Sequence, residues 1–284
     1  AFTSVLSELI TLSENELLEN QIYCIYISPL KSLNNDISFN LKEPLKEMEE
    51  NSGKTFGIRI GVRTGDTSTA DKAKMLAKSP HILITTPESF SIILTSVKLR
   101  DKLRNLKWVI IDEIHALAES KRGVHLSLAL ERLEDLSFGF TRIGLSATIE
   151  PIEEIAAFLA GNKRNCLIAK ADLKKEMDIK VLCPVPDLIN VTYDVVHDKM
   201  YRMIDELIQE HKTTLIFTNT RSATERVVHH LKEKFPRKYT ENNGAHHGSL
   251  SKEHRLDMET RMREGKLKAI VCSTSLELGI DIGY

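Results

Sequence analysis

The sequence predicts an α/β fold of two lobes, each a mostly parallel sheet flanked by helices. Short apolar runs alternate with longer segments of helical periodicity, and a proline-containing segment interrupts this alternation past the midpoint of the chain. Strands separated by helices form parallel βαβ units, because each crossover helix returns the chain to the same end of the sheet. The 284 residues are enough for two domains of ordinary size.

Seven apolar runs have the length and the flanking turn residues that are typical of buried strands. They are Ile22–Ile27, Phe56–Val62, His81–Ile84, Trp108–Ile111, Arg142–Leu145, Thr214–Phe217 and Lys268–Cys272. Clear helical periodicity occurs at Val124–Leu136, Ile152–Leu159, Lys199–His211 and Lys252–Arg263. An amphipathic helix is also predicted at the start, where apolar residues recur at Phe2, Val5, Leu6, Leu9 and Leu12.

The segment from about Lys174 to Asp198 is expected to connect the two lobes. It contains Pro184 and Pro186 and shows no clear helical pattern. Either a linker or a first crossing strand fits these residues. We therefore assign residues 1–175 to the first lobe and residues 176–284 to the second.

Composition excludes several classes of protein. Hydrophobic residues make up 42% and charged residues 28% of the chain, which indicates a globular protein. No apolar run approaches the roughly 18 residues of a membrane helix, and no secretory signal is visible. The 39 basic and 40 acidic side chains nearly cancel, so an anion-binding surface would have to be a local groove. The four cysteines, Cys24, Cys166, Cys183 and Cys272, are far apart, which argues against a zinc ribbon or an iron–sulfur cluster. Cys24 and Cys272 lie in apolar runs and are expected to be core thiols in a reducing, cytoplasmic compartment.

Polar side chains follow six of the predicted strands. In open parallel sheets, ligands bind beyond the carboxyl ends of the strands. One polar strand ending is an ordinary helix cap, whereas six in succession indicate a site. The six endings are Ser28-Pro29-Leu30-Lys31, Thr85-Thr86-Pro87-Glu88, Asp112-Glu113-Ile114-His115, Ser146-Ala147-Thr148, Thr218-Asn219-Thr220-Arg221 and Ser273-Thr274-Ser275-Leu276-Glu277.

The adjacent carboxylates Asp112 and Glu113 are the strongest chemical signal. The first can hold Mg²⁺ through water, and the second can orient and deprotonate the water that attacks a phosphoanhydride. The alternative is that both only cap the next helix, which is the commoner role of an isolated Asp-Glu pair directly after a strand. His115 and the later Ser146-Ala147-Thr148 favour the catalytic interpretation. Thr148 is also expected to cap a helix that begins near Pro151.

Three further patterns have both a functional and an ordinary interpretation. Hydroxyl and backbone N–H groups at helix starts can bind phosphates, including those of a nucleic-acid backbone, or can simply cap the helix. The pair His246-His247 lacks an acid or cysteine at ligand spacing, which argues against a metal site. Asn51-Ser52-Gly53-Lys54-Thr55 is similar to the end of a G-x-x-x-x-G-K-[ST] phosphate loop. We reject it, because Met48 occupies the first glycine position and the segment follows a predicted helix.

These motifs together resemble superfamily 2 helicases of the DExH type. "SPLKSL" is similar to motif Ia, "TTPES" to Ib, "DEIH" to II, "SAT" to III, "IFTNTR" to IV and "STSLELGID" to V. The large helicase-related (Lhr) family gives the best match, through "YISPLKSLNNDI", "GVRTGDTS", "ESKRGVHLSLALERL" and "AHHGSLSKEHR". The resemblance covers essentially the whole chain.

The resemblance implies two RecA-like lobes, ATP with Mg²⁺ between them, and a single strand of DNA or RNA across their tops. It implies that Asp112 is the metal carboxylate and that Glu113 is the catalytic base. His115, Ser146 and Thr148 would couple the nucleotide to the strand. Gly279 and Asp281 would contact ATP from the second lobe. The residues implied to touch the nucleic-acid backbone are Ser28, Lys31, Thr86, Thr218, Asn219, His247 and Thr274.

Two family motifs have no counterpart in these residues. The opening helix resembles the one that follows the Walker A loop, and the sequence ends before the arginine-containing motif VI. The resemblance therefore implies a helicase core without motifs I and VI, which by itself would not hydrolyse ATP. The same motifs also fit two functions other than that of a helicase. One is a superfamily 2 translocase that moves on duplex without unwinding it, and the other is a nucleic-acid clamp without ATPase activity.

Overall fold

A computed structural model describes the chain except for residues 138, 148, 162–163, 172–177 and 274–284, and except for the side chains of residues 31–33, 35–36, 252, 255–256 and 263. The chain divides into two compact units, Ala1–Lys170 and Ala171–Tyr284. The lobe boundary predicted between residues 175 and 176 lies outside the described residues. Each unit contains a parallel sheet with helices beside it, which confirms the predicted fold class.

The first unit is built on a five-stranded sheet in the order β2-β3-β1-β4-β5, and all of its strand pairs are parallel. Its strands are β1 (Cys24–Ile27), β2 (Ile60–Arg63), β3 (Ile82–Thr85), β4 (Trp108–Ile111) and β5 (Thr141–Gly144). Its helices are α1 (Phe2–Glu14), α2 (Lys31–Ser52), α3 (Thr69–Ala77), α4 (Pro87–Thr95), α5 (Val97–Arg100), α6 (Ile114–Ala118), α7 (Lys121–Leu136) and α8 (Ile152–Ala160).

The second unit contains a three-stranded parallel sheet in the order β6-β8-β7. Its strands are β6 (Thr214–Phe217), β7 (Asn243–His246) and β8 (Ala269–Cys272). Its helices are α9 (Tyr193–Glu210), α10 (Arg221–Lys234), α11 (Pro236–Tyr239) and α12 (Lys252–Arg263).

An apolar cluster covers each face of the first sheet. Successive side chains along a strand point to opposite faces, so each strand contributes to both clusters. On β1, Ile25 and Ile27 pack into a cluster that also contains Phe90 of α4 and Leu130 of α7. Cys24 and Tyr26 pack on the other face, where α1 contributes Val5, Leu6 and Leu9. The apolar clusters on the two faces hold each strand in its position. They therefore also fix the positions of the polar residues that follow the strands.

The predicted elements largely agree with the observed ones, with four corrections. β7 was missed, because Asn243-Gly244-Ala245-His246 is not an apolar run, although all four residues are buried. The strand predicted at Phe56–Val62 begins only at Ile60, and α9 begins at Tyr193, inside the segment predicted to lack a helix. Pro151, not Thr148, occupies the cap position of α8, and Thr148 lies outside the described residues.

The described residues also bear on the predictions about membrane helices and about the cysteines. Among the described helices, none is long and apolar enough to cross a membrane. Cys24 and Cys272 are buried and form no disulfide, as predicted for core cysteines.

Arg142 of β5 anchors the far edge of the first sheet to two helices. Its guanidinium forms ion pairs of 2.9 Å with both Glu131 and Glu134 of α7, and it donates to the carbonyl oxygens of Leu159 and Ala160 at 3.3 Å. The Arg142 side chain is only 7% exposed. Hydrogen bonds from Arg164 and then from Arg142 lower the pKa of Glu131 to about 2, so this carboxylate is ionised at neutral pH.

We expect Arg142→Met to lower the free energy of unfolding by about 2 kcal/mol, because buried carbonyl groups lose charged donors. Arg164→Met is the matched control, since Arg164 binds the same Glu131 but is 39% exposed, and it should cost less than about 1 kcal/mol. Urea denaturation measures both. Equal losses would contradict the anchoring role of Arg142.

Candidate functional site

The carboxyl ends of four strands in the first unit lie in one row. Ile27 pairs with Thr85 on one side and with Ile111 on the other, and Ile111 pairs with Gly144. The ladder continues one residue further, because Ser28 N–H donates to Thr85 O at 3.1 Å and Asp112 N–H donates to Ile27 O at 2.8 Å. The predicted endings of these strands therefore start within two residues of this row.

Asp112 is held by donors on both carboxylate oxygens. The hydroxyl of Tyr26, on the neighbouring strand β1, donates to Oδ2, and the backbone N–H of Glu113 donates to Oδ1 at 2.9 Å. Burial, together with the hydrogen bond to Asp112, raises the pKa of Tyr26, so the phenol stays protonated and can only act as the donor in this contact. Each carboxylate oxygen retains a second lone pair, which suits a water-mediated contact to a metal ion.

Glu113 occupies a strained backbone position at the start of α6. Its φ of 47° and ψ of 43° lie in the left-handed region, which residues other than glycine rarely adopt. The side chain is 18% exposed. Burial and the charge of Asp112 raise the pKa of Glu113 above its ordinary value, and His115 opposes this shift. A carboxylate with a raised pKa is a stronger base, which suits proton abstraction.

His115 links Glu113 to the loop after β5. The backbone N–H of Ala147 donates to Nδ1 of His115 at 3.3 Å, and Ser146 Oγ lies 3.3 Å from the same nitrogen. Because Nδ1 accepts a hydrogen bond, the neutral ring carries its proton on Nε2, which lies 3.4 Å from Glu113 Oε2. The structure thus brings together Asp112, Glu113, His115 and Ser146.

The loops after β1 and β3 are held together by Arg122 of α7. Its guanidinium donates to Glu88 Oε1 at 2.5 Å and to the carbonyl oxygen of Pro29 at 2.8 Å. In these loops Ser28 and Thr86 are buried, and their hydroxyls serve the local backbone. Thr86 caps α4, accepting from Ser89 N–H at 3.5 Å. Sequence reasoning missed Arg122, because its partners are distant in the chain.

A second polar edge lies in the second unit. Strands β6, β8 and β7 end in one register row, at Phe217, Cys272 and His246 respectively. Thr218 follows β6, and its hydroxyl lies 2.7 Å from that of Thr224. Asn219 is exposed. The six predicted endings therefore belong to two sheets rather than to one edge, with four in the first unit and two in the second.

The two histidines at the end of β7 each bind a glutamate. His246 Nε2 lies 3.0 Å from Glu259 Oε1, and both side chains are buried. His247 Nε2 lies 2.6 Å from Glu225 Oε1 of α10, while no described residue bonds its buried Nδ1. Within the described residues, no group of three or more His, Cys, Asp or Glu side chains could hold a metal ion.

Several predicted site residues cannot be placed. Thr148, Thr274, Gly279 and Asp281 lie outside the described residues, and so does the side chain of Lys31. The rejected loop at Gly53 is described: Gly53 ends α2 with a φ of 65°. It is a left-handed helix cap, as expected for a glycine after a helix.

The two parallel sheets and the carboxylate pair define the class of two-lobed helicases of superfamily 2, and two family models match the chain. The model described as "DEAD/DEAH box helicase" matches residues 4–155, and the "Helicase conserved C-terminal domain" matches residues 198–284. The chain belongs to the DEAD/DEAH box helicase family. This result confirms the resemblance predicted from the motifs.

Within this family, the chain is similar to Lhr helicases. It is 53% identical to the ATP-dependent helicase Lhr-Core of Methanothermobacter thermautotrophicus and 50% identical to that of Saccharolobus solfataricus, across 100% of this chain in both cases. The structure of Mycobacterium smegmatis helicase Lhr bound to ssDNA and AMP-PNP is 39% identical with a TM-score of 0.84, over 93% of this chain and 35% of that one. The chain spans about a third of the curated relatives' length, 34% and 33% respectively.

The strain at Glu113 can be measured directly. We expect Glu113→Gly to unfold with a free energy about 1 kcal/mol higher than Glu113→Ala, because glycine adopts the left-handed backbone without a Cβ clash. The control pair is Glu119→Gly and Glu119→Ala, since Glu119 ends the same helix at a φ of −85°. There glycine should give no advantage. If Glu113→Ala is as stable as Glu113→Gly, the site stores no backbone strain.

Proposed function

We propose that the chain is the motor core of an ATP-dependent helicase that moves along single-stranded nucleic acid. The observation that carries this proposal is the connected set Asp112, Glu113, His115 and Ser146 at the carboxyl end of a parallel sheet. The Lhr-type relatives support the class of activity. The helicase of known structure is bound to ssDNA, which supports a single strand as partner without distinguishing DNA from RNA in this chain.

In the proposed hydrolysis, Asp112 would hold Mg²⁺ through water, and Glu113 would accept the proton of the attacking water. The carboxylate of Asp112 fits this role, because Mg²⁺ keeps several waters and takes one or two carboxylates together with substrate phosphates. The metal would neutralise charge on the phosphates. Tyr26 fixes the direction of the Asp112 carboxylate, and the raised pKa of Glu113 favours proton acceptance.

His115 is proposed to couple the nucleotide site to the strand. It contacts Glu113 through Nε2 and the Ser146-Ala147 loop through Nδ1, so a shift of either group alters the contact of His115 with the other. Thr148 completes this loop in the proposal, and Gly279 and Asp281 are proposed to contact ATP from the second unit.

Backbone phosphates are the proposed contacts for the residues at the other strand ends. In the first unit these are Ser28, Lys31 and Thr86, whose loops are cross-linked by Arg122. In the second unit they are Thr218, Asn219, His247 and Thr274. Phosphate contacts position a strand without reading its sequence, so binding is expected to be independent of sequence.

Two other functions remain distinguishable by experiment. A translocase that moves on duplex would hydrolyse ATP without separating strands, and a strand-displacement assay on the complete protein tests this. A nucleic-acid clamp would bind without hydrolysis. The retained contacts of Asp112 and Glu113 favour an active site over a clamp, because a clamp has no use for the strained backbone at Glu113.

Glu113→Gln in the complete protein should abolish ATP turnover, because the amide keeps the size of the side chain but cannot accept a proton. Loss of a general base typically lowers the rate about 10²–10⁴-fold. Binding of ATP and of an oligonucleotide should stay close to that of the unmodified protein. Phosphate release and fluorescence anisotropy measure the two properties. Turnover within about threefold of the unmodified protein would refute the assignment.

Residues 1–284 alone should not hydrolyse ATP, with or without single-stranded nucleic acid. They contain no G-x-x-x-x-G-K-[ST] sequence and no counterpart of motif VI, so the groups that grip and neutralise the phosphates are lacking. Weak oligonucleotide binding should persist and fall steeply with salt. A phosphate-release assay and anisotropy titrations at two salt concentrations test this. Strand-stimulated phosphate release would show the expectation to be wrong.

A further inference from the structure

The outer edge of β2 is open in the first unit. β2 is the terminal strand of its sheet, so no described strand pairs with its outer side. The carbonyl oxygen of Arg59 accepts from His81 N–H at 2.8 Å and therefore points toward β3. Because backbone groups alternate in direction along a strand, those of Ile60 and Val62 point outward. Thr67 Oγ1 donates to the carbonyl oxygen of Val62 at 3.2 Å, and no described strand pairs with the other outward groups.

A groove follows this open edge, between α2 and α3. Gly61 forms part of its floor and faces α3, since a Cβ there would lie 3.0 Å from Pro80 Cβ and 3.5 Å from Met75 Cε. The side chains of Ile60 and Val62 point to the opposite face, where they pack against the apolar cluster beneath α1. The edge of β2 therefore presents its backbone to the groove, with α3 on one side and an apolar face on the other.

The groove is rich in positive charge. Four basic side chains and a single acidic one, Asp71, line it. The basic residues are Lys42 of α2, Lys74 and Lys78 of α3, and Arg59. Asp71 forms an ion pair with Lys74 at 3.3 Å. The chain as a whole has a net charge of −1, so this excess is local and favours an acidic ligand.

We propose that this groove binds an extended segment of a partner protein in which acidic and apolar residues alternate. Such a segment adds a strand to the edge of β2, and its backbone pairs with the outward groups of Ile60 and Val62. Side chains alternate between the faces of a strand. The acidic residues of the segment therefore face Lys74 and Lys78, and its apolar residues pack beside the side chains of Ile60 and Val62.

The open backbone edge favours a polypeptide over a nucleic acid at this groove. A phosphate offers only acceptors and cannot pair with the carbonyl oxygen of Ile60, whereas a polypeptide strand offers both donors and acceptors. The groove also extends beyond the amino ends of two strands, because Arg59 precedes β2 and Lys78 and Pro80 precede β3. The candidate site lies at the carboxyl ends of the same strands.

The charge contacts are tested in the complete protein with a short fluorescein-labelled peptide of alternating glutamate and valine. Fluorescence anisotropy gives its Kd. The double substitution Lys74→Gln and Lys78→Gln should raise Kd about tenfold, because two exposed ion pairs are lost. The matched control is Lys46→Gln with Lys98→Gln, which removes the same charge and one helical ion pair, Lys46 with Glu50. Neither control residue lines the groove, so Kd should stay unchanged. An equal rise in both double variants would overturn the proposal.

Backbone methylation of the peptide tests strand addition itself. In a docked strand every second N–H points toward β2, so N-methylation of one alternate set, either the glutamates or the valines, should abolish binding. Methylation of the other set should leave Kd unchanged. Equal affinities of the two methylated peptides, or no binding of the unmodified peptide, would overturn the proposal. So would oligothymidylate binding that weakens equally in the Lys74 and Lys78 double variant, because it would assign the groove to nucleic acid.

Discussion

The register of the parallel strands in the first sheet is the constraint on which the candidate site depends. The last residues of the five strands lie in one row, formed by Arg63, Thr85, Ile27, Ile111 and Gly144. The predicted polar endings therefore begin within two residues of that row. A slip of one residue in any strand would turn its buried side chains to the other face. The apolar clusters on both faces exclude that slip, and the core therefore sets the geometry of the site.

The site departs from the rules that the rest of the fold obeys. Glu113 holds a left-handed backbone, and Nη1 of the half-buried Arg63 has no hydrogen-bond acceptor among the described residues. Both features cost stability, and both lie at the carboxyl edge of the sheet, next to residues with proposed roles. Such departures persist only where the surrounding structure fixes them, and they concentrate at functional sites. Here the surroundings include Tyr26 on Asp112 and His115 between two loops.

The comparisons and the fold agree on the organisation of the chain. The two family models match residues 4–155 and 198–284, which fall in the two compact units. The matching relatives are about three times as long as this chain. Within this part of the protein, the proposed reaction depends chiefly on the pair Asp112-Glu113 and on His115, which connects that pair to the loop after β5.

The sequence by itself determined the alternation of strands and helices, the two lobes, and the Asp112-Glu113 pair, because local periodicity and short motifs are readable along the chain. It missed β7, since Gly244 lacks a side chain and the strand is polar. A Cβ at Gly244 would lie 2.5 Å from Met258 Sδ of α12, so a larger residue there would require the Met258 side chain to move. The tertiary structure alone revealed Tyr26 on Asp112, 86 residues away, and the clamp of Arg122. It also revealed that the buried Nη1 of Arg63 has no acceptor among the described residues. Contacts between distant residues, and the lack of one, depend on which strands become neighbours, and no local pattern contains that information.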